Sequence, residues 1–264
     1  MAKRTAFGRG VHGLIGVIHL PPLPGSPRWA GDFDKVLRSA LADARAFTAG
    51  GADAVIIENF GDIPFTKQAV PPETVAAMAV AGAAIRAATP LPLGFNVLRN
   101  DGASALALCA ACGGDFVRVN VLSGVMVTDQ GLIEGDAFAL LRKKRDLVPG
   151  AKILADVHVK HAAPLGNLPI EIAARDTAER GLADALIVSG SGTGEAAEIN
   201  DVRRVREACP DAAILLGSGV TAANAARYLE HADGCIVGTS VKRGGVLGNP
   251  VDARRVEALR KAMR

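Results

Sequence analysis

The chain has 264 residues, a formal charge of +3 and 49% apolar residues, with one Trp and one Tyr. That length and apolar content fit one large domain, 1–264, and so mild a charge with so few aromatic rings argues against a nucleic-acid surface. The longest apolar stretch, 75–85, falls far short of a membrane span, and no apolar segment follows basic residues 1–10, so neither a membrane helix nor a signal peptide is expected and the location expected is cytoplasmic.

Residues 14–20 read as the first strand and end with His19, after which the proline-rich run 21–27 excludes helix. Helical periodicity over 34–49 stops at Gly50-Gly51, and 54–59 forms the second strand, ending in Glu58 and Asn59. Pro71 and Pro72 open a helix that runs to residue 87, and the third strand, 93–98, carries Asn96. A helix over 103–111 leads to the fourth strand, 116–121, with Arg118 and Asn120. Residues 122–135 are long for a strand-to-helix connection, which makes them a lid candidate.

After a helix over 136–146, whose basic end Arg142–Arg145 complements the helix dipole, the fifth strand spans 153–159. Helix 170–180, strand 185–189, helix 201–209 and strand 213–216 follow. Thr221 is the expected cap of a helix through residue 230. Strand 235–237 and a terminal helix over 251–263 complete eight strand-then-helix units. Eight such units imply a parallel sheet closed into a (β/α)8 TIM barrel, with an open doubly wound sheet as the alternative. Cys109, Cys112, Cys209 and Cys235 sit among apolar neighbours and read as small buried residues rather than a redox or zinc motif.

In such a barrel the site lies at the C-terminal ends of the strands, where His19, Glu58, Asn59, Asn96, Arg118, Asn120, Asp156, His158 and Lys160 fall. Alternation along a continuous strand puts Asp156, His158 and Lys160 on one side. Gly217-Ser218-Gly219 and Gly238-Thr239-Ser240 follow the last two strands, where this fold often holds phosphate, and Ser189 and Gly190 widen the same cradle. Three chemistries stay open. Asp156, His158 and Glu58 hold a divalent metal; Asp156 or His158 transfers protons directly, assisted by Glu58 and His19; or Lys160, beside Arg118, forms a Schiff base. Arg118, Asn96 and Asn120 orient a small phosphorylated substrate in each case. Ala-rich helix faces are compatible with a homo-oligomer.

These residues fall in runs that resemble the BtpA/SgcQ family of barrel proteins: His19-Leu-Pro-Pro-Leu-Pro-Gly-Ser-Pro-Arg28, Glu58-Asn-Phe-Gly-Asp62, Asn96-Val-Leu-Arg-Asn-Asp101, Arg118-Val-Asn120, Thr128-Asp-Gln-Gly131, Ala155-Asp-Val-His-Val-Lys-His161, Gly217-Ser-Gly-Val220 and Val237-Gly-Thr239. The resemblance implies a TIM barrel similar to the phosphate-binding barrels, with His19, Glu58, Asp156 and His158 as site residues. It also implies two kinds of function. One is an enzyme of carbohydrate metabolism, for which the acid/base ring facing a phosphate cradle itself suits isomerase or aldol-type lyase chemistry on a sugar, polyol or nucleoside-derived phosphate. The other is a non-catalytic, peripherally membrane-associated factor in photosystem I biogenesis that uses the barrel as a scaffold.

Overall fold

A computed structural model describes residues 12–190 and 192–264. The expectation for residues 1–10 and the Ser191 position of the glycine loop lie outside the described residues. The strands are β1 (Gly13–His19), β2 (Ala54–Glu58), β3 (Leu93–Asn96), β4 (Phe116–Val119), β5 (Val125–Thr128), β6 (Gly131–Glu134), β7 (Lys152–Val157), β8 (Ala162–Pro164), β9 (Ala185–Val188), β10 (Ile214–Leu216) and β11 (Gly234–Val237). Eight of them close a parallel barrel in the order β1-β11-β10-β9-β7-β4-β3-β2. Helices α1 (Phe33–Ala49), α2 (Pro72–Ala88), α3 (Gly102–Cys112), α4 (Ala137–Leu147), α5 (Ile170–Arg175), α6 (Ile199–Ala208), α7 (Ala225–Leu229) and α8 (Ala253–Ala262) connect and follow them. This is the TIM-barrel architecture expected from eight repeated units.

Local chemistry explains several helix starts. Asp32, Asp101 and Asp136 cap α1, α3 and α4 by accepting from the amides of Lys35, Ser104 and Ala139. The expected cap at Thr221 is corrected: Asn224 turns its Oδ1 to the Thr221 amide, and α7 begins only at Ala225. The long segment after β4 is no bare loop. There β5 and β6 form an antiparallel hairpin, and β8, from the segment after β7, pairs with β5 over the barrel.

Two apolar layers hold the barrel. Inside it, Ile15, Val17, Ile56, Phe116, Leu154, Ile187, Leu215 and Ile236 pack together. Outside, the opposite faces of the strands meet the helices through residues such as Phe47, Met78, Ile85 and Val205. At the N-terminal face, Asp53, Asp115, Asp184 and Asp233 each accept an amide from the first or second residue of a neighbouring strand, Leu14, Leu93, Ile153 and Ile214. Arg260, Arg86, Lys152 and Arg206 pair with the same carboxylates. Acids at this end therefore tie strands together, away from the mouth. The four cysteines are buried and unbridged, and burial pushes the Cys109 and Cys235 thiols up to about 12. Among the described residues no helix is long and apolar enough to cross a membrane.

Gly94 shows how tightly the interior is filled, because a Cβ there would sit 2.3 Å from Phe116 Cε2. Gly94→Ala is expected to lower stability by about 1–3 kcal/mol through overpacking, read as a lower urea midpoint at unchanged m. An unchanged midpoint would show that Phe116 does not depend on the missing side chain.

Candidate active site

Side chains two apart along a strand point the same way. The inward rows therefore continue from the apolar interior to the mouth. Ile15 and Val17 lead to His19, Ile56 to Glu58, Gly94 to Asn96, Phe116 to Arg118, Leu154 to Asp156, Ile187 to Ser189, Leu215 to Gly217 and Ile236 to Gly238. Register places His19 beside Glu58 and Glu58 beside Asn96.

Arg118 is the centre of this top layer. Its Nε and Nη2 each donate to Asp156 at 2.9 Å, and Nη1 donates to Glu58 Oε1 at 3.3 Å. Asp156 also accepts from Asn120 Nδ2 at 3.2 Å and from Ser189 Oγ at 3.2 Å. Asn96 Nδ2 in turn donates to Asn120 Oδ1 and to the Arg118 carbonyl. Burial works against the Arg118 charge, but the two carboxylates outweigh it and hold its pKa above the ordinary value.

Burial, reinforced by Lys242, Lys160 and Arg118, drives the His19 pKa down to about 3. The imidazole is neutral at physiological pH, and its Nε2 lies 3.9 Å from Glu58 Oε2. Lys160 comes from the loop after β7. Burial and the neighbouring Arg118 lower the pKa of its amine, against the pull of Glu58 and Asp156. Arg99 donates to the Lys160 carbonyl at 2.5 Å and fixes that loop.

The mouth holds two connected lobes. The first, about 480 Å3, is lined by His19, the 217–222 loop, the 238–241 loop, Thr193, Gly194 and Arg255. The second, about 330 Å3, is lined by Phe60, Ile63, Pro64, Phe65, Asn96, Leu98, Arg99, Asn120, Asp129, Gln130 and His161. Glu58, Arg118, Lys160 and Thr193 line both. The structure thus brings His19, Glu58, Asn96, Arg118, Asn120, Asp156 and Lys160 together.

His158 is placed apart from them. The expected alternation through residue 160 ends when β7 stops at Val157, and His158 takes a left-handed conformation, φ 53°. It lines neither lobe but a third cavity of about 230 Å3, with Ser123, Leu168 and Thr177, that Asp156 and Asn120 also line. The expected metal set of Asp156, His158 and Glu58 is corrected on the same ground. Among the described residues no three His, Cys, Asp or Glu side chains could hold a metal ion. The Arg118 guanidinium already joins the two carboxylates, so these residues do not fit a divalent cation.

The cradle residues also divide. Gly217, Ser218, Gly219, Gly238, Thr239 and Ser240 line the first lobe. Ser218 Oγ is engaged at the same time, donating to the Glu195 carbonyl at 2.6 Å and accepting from the Gly190 amide. Ser189 and Gly190 support Asp156 and that loop rather than lining either lobe. Gly238 has a packing reason as well, since a Cβ there would lie 2.3 Å from His19 Cε1.

Sequence reading did not single out Phe60, Phe65, Arg99, Gln130, Thr193 or Arg255 as site residues. Phe60, Arg99 and Gln130 sit inside the distinctive runs after the second, third and fourth barrel strands, which was a usable signal. Arg255 lies on α8, far along the chain, and carries none.

The neutral His19 has a consequence for stability. Between pH 6.5 and about 3 the unfolded chain protonates at position 19 and the folded chain does not, so the unfolded state binds more protons and stability falls with falling pH. Going from about pH 7 to about pH 4.5, this one residue is expected to contribute a loss on the order of 2 kcal/mol in urea unfolding, and His19→Gln should lose that much less than wild type. Equal losses in the two proteins would mean that His19 protonates freely in the folded state.

A family model described as the BtpA family matches residues 11–264. The chain is 46% identical to the photosystem I biogenesis protein BtpA of Synechocystis sp. over 95% of this chain and 87% of that protein. It is 48% identical to an uncharacterized protein of Thermococcus kodakarensis over 93% of each chain. Among solved structures, thiamine phosphate pyrophosphorylase from Pyrococcus furiosus superposes with a TM-score of 0.60 over 95% of each chain at 16% identity, a likeness of fold. By the extent of the family match and the identity to both relatives, the chain belongs to the BtpA family.

Proposed function

We propose that this protein is an enzyme acting on a small phosphorylated substrate by acid/base chemistry, of isomerase or aldol-lyase type, at the C-terminal mouth of the barrel. The observation that carries the reading is the group of ionisable side chains where the two lobes join. Glu58, Arg118 and Asp156 are each almost wholly buried, and Lys160 and His19 stand over them. Desolvating such groups costs stability unless each is paired, and a merely structural layer would be served as well by apolar side chains.

The residues divide the work by chemistry. Arg118, Lys160, Arg99 and Arg255 stand against the carboxylates Glu58, Asp129 and Asp156, an excess of one cation that favours an anionic ligand. The Gly217–Gly219 and Gly238–Ser240 turns, with Thr193 and Arg255, supply a first lobe suited to a phosphate. Glu58 keeps Oε1 on Arg118 and presents Oε2 toward His19, which makes it the candidate to take and return a proton. Neutral His19 can donate a hydrogen bond to a carbonyl oxygen without carrying charge into the site. The lowered pKa of Lys160 brings its ammonium closer to the range useful for a general acid, and the same property suits an amine nucleophile. Asp156, Asn120 and Asn96 position Arg118. The β5–β6 hairpin, with Asp129 and Gln130 at its tip, covers the second lobe as a lid would.

A second reading follows from the Synechocystis relative's name: a non-catalytic assembly factor that keeps the barrel as a scaffold. The two separate on chemistry. The protein is incubated in deuterium oxide with a panel of aldose, ketose and polyol phosphates and followed by proton NMR. The enzyme reading expects solvent exchange or conversion at one carbon of at least one member, falling by about 10²–10⁴-fold in Glu58→Gln while binding persists. Absence of both exchange and binding across the panel would favour the scaffold.

A further inference from the structure

The second lobe has no work to do for a short sugar phosphate. Its far wall is apolar and partly aromatic: Phe60, Phe65, Ile63, Pro64 and Leu98. His19, Phe60 and Phe65 run edge-to-face from the first lobe into the second, with centroid separations of 4.8 Å and 6.4 Å. Aromatic walls of this kind bind flat rings through their faces.

The polar side of the same lobe is equally specific. Asn96 is 1% exposed, and its amide orientation is set by its Nδ2, which donates both to Asn120 Oδ1 and to the Arg118 carbonyl. That leaves Oδ1 as a buried acceptor with no donor from the protein. Gln130, on the β5–β6 turn, has its Nε2 on Asp129 and its Oε1 likewise without a protein donor. A buried acceptor left unpaired is costly, and a ligand N–H or O–H reaching it removes that cost. An apolar tail could not satisfy these oxygens, and a fully ionised phosphate would offer them no donor.

Resting on the phosphate reading of the first lobe, we infer that the substrate is two-ended: a phosphorylated sugar-like portion in the first lobe, and in the second a flat, weakly polar ring with an N–H or O–H at its edge. A nucleobase-like heterocycle has this chemistry. The ring lies against Phe60 and Phe65 and donates to Asn96 Oδ1. The link between the two portions then falls where the lobes meet, beside Glu58, Lys160 and Arg118. The two lobes together have the size of sites that enclose ligands of this class.

The test is calorimetric titration of the full chain with ribose 5-phosphate, adenosine 5′-monophosphate and uridine 5′-monophosphate, in wild type and in Phe65→Ala. Phe65 is half-buried, so truncating it spares the core. The expected result is that at least one nucleotide binds about tenfold or more tightly than ribose 5-phosphate. Phe65→Ala should abolish that advantage and leave ribose 5-phosphate unchanged. Ribose 5-phosphate binding as tightly as both nucleotides would overturn the two-ended substrate and leave the phosphate lobe standing. A nucleotide advantage that survives in Phe65→Ala would place the ring elsewhere and overturn the inference too. If none of the three binds, the phosphate reading falls and takes this inference with it.

Discussion

The mouth of the barrel depends on one buried guanidinium. Arg118 spans the barrel top from β4 to Asp156 on β7 and Glu58 on β2, through two bonds to one carboxylate and one to the other. A fork-to-carboxylate pair of this geometry fixes both partners in direction as well as distance. Asn120, Ser189 and, through Asn120, Asn96 complete the donors around it. Removing one partner of such a buried pair typically costs about 3–5 kcal/mol, because the survivor is left charged and dry. Two nearby ionisations feel its charge. Arg118 adds to the burial that keeps His19 neutral and weakens the Lys160 amine.

Small residues around that centre serve packing as much as binding. Gly217 has no room for a Cβ beside Ser189, whose hydroxyl must reach Asp156. Gly238 makes the same allowance for the His19 ring. Only Gly219 of these three needs backbone freedom, at φ +69°. The loops after β10 and β11 therefore lie close against the charged layer. Anion binding and ring packing place the same demand on the chain, so glycine alone cannot tell them apart.

This explains what could be read from sequence and what could not. The eight-fold alternation and the polar ends of the strands follow from period-2 burial, and the residues so found meet at the mouth with two exceptions, one of them Asn59, whose side chain accepts from the Leu98 amide and donates to Asp62 instead. His158 failed because alternation holds only while the backbone stays extended, and β7 ends one residue earlier. Lys160 still reaches the mouth, carried by the loop rather than the strand. The three-stranded β5–β6–β8 sheet was hidden because its strands are only three or four residues long and β5 also pairs with a segment 34 to 38 residues away. Phe65 was hidden for another reason. It comes to the second lobe only once the loop after β2 folds toward Arg99 and Asn96, and no local pattern marks that.

The distribution of charge between the two faces bears on what kind of molecule this is. At the N-terminal face Asp53, Asp115, Asp184 and Asp233 are satisfied by backbone amides and by surface cations, and they account for themselves as strand ties. At the C-terminal face the ionisable groups are drier, and several polar atoms are left over: His19 Nδ1, Asn96 Oδ1 and Gln130 Oε1 accept or donate to nothing in the protein. Folding alone selects against that combination, since each buried unpaired atom costs on the order of 1–3 kcal/mol. Two faces of one barrel, built by the same eight strands, thus treat polar groups in opposite ways. The face that tolerates the cost is also the one that carries the cavities, and the unpaired atoms line them or lie next to those that do. A ligand that supplies the missing partners is the economical physical account of that asymmetry.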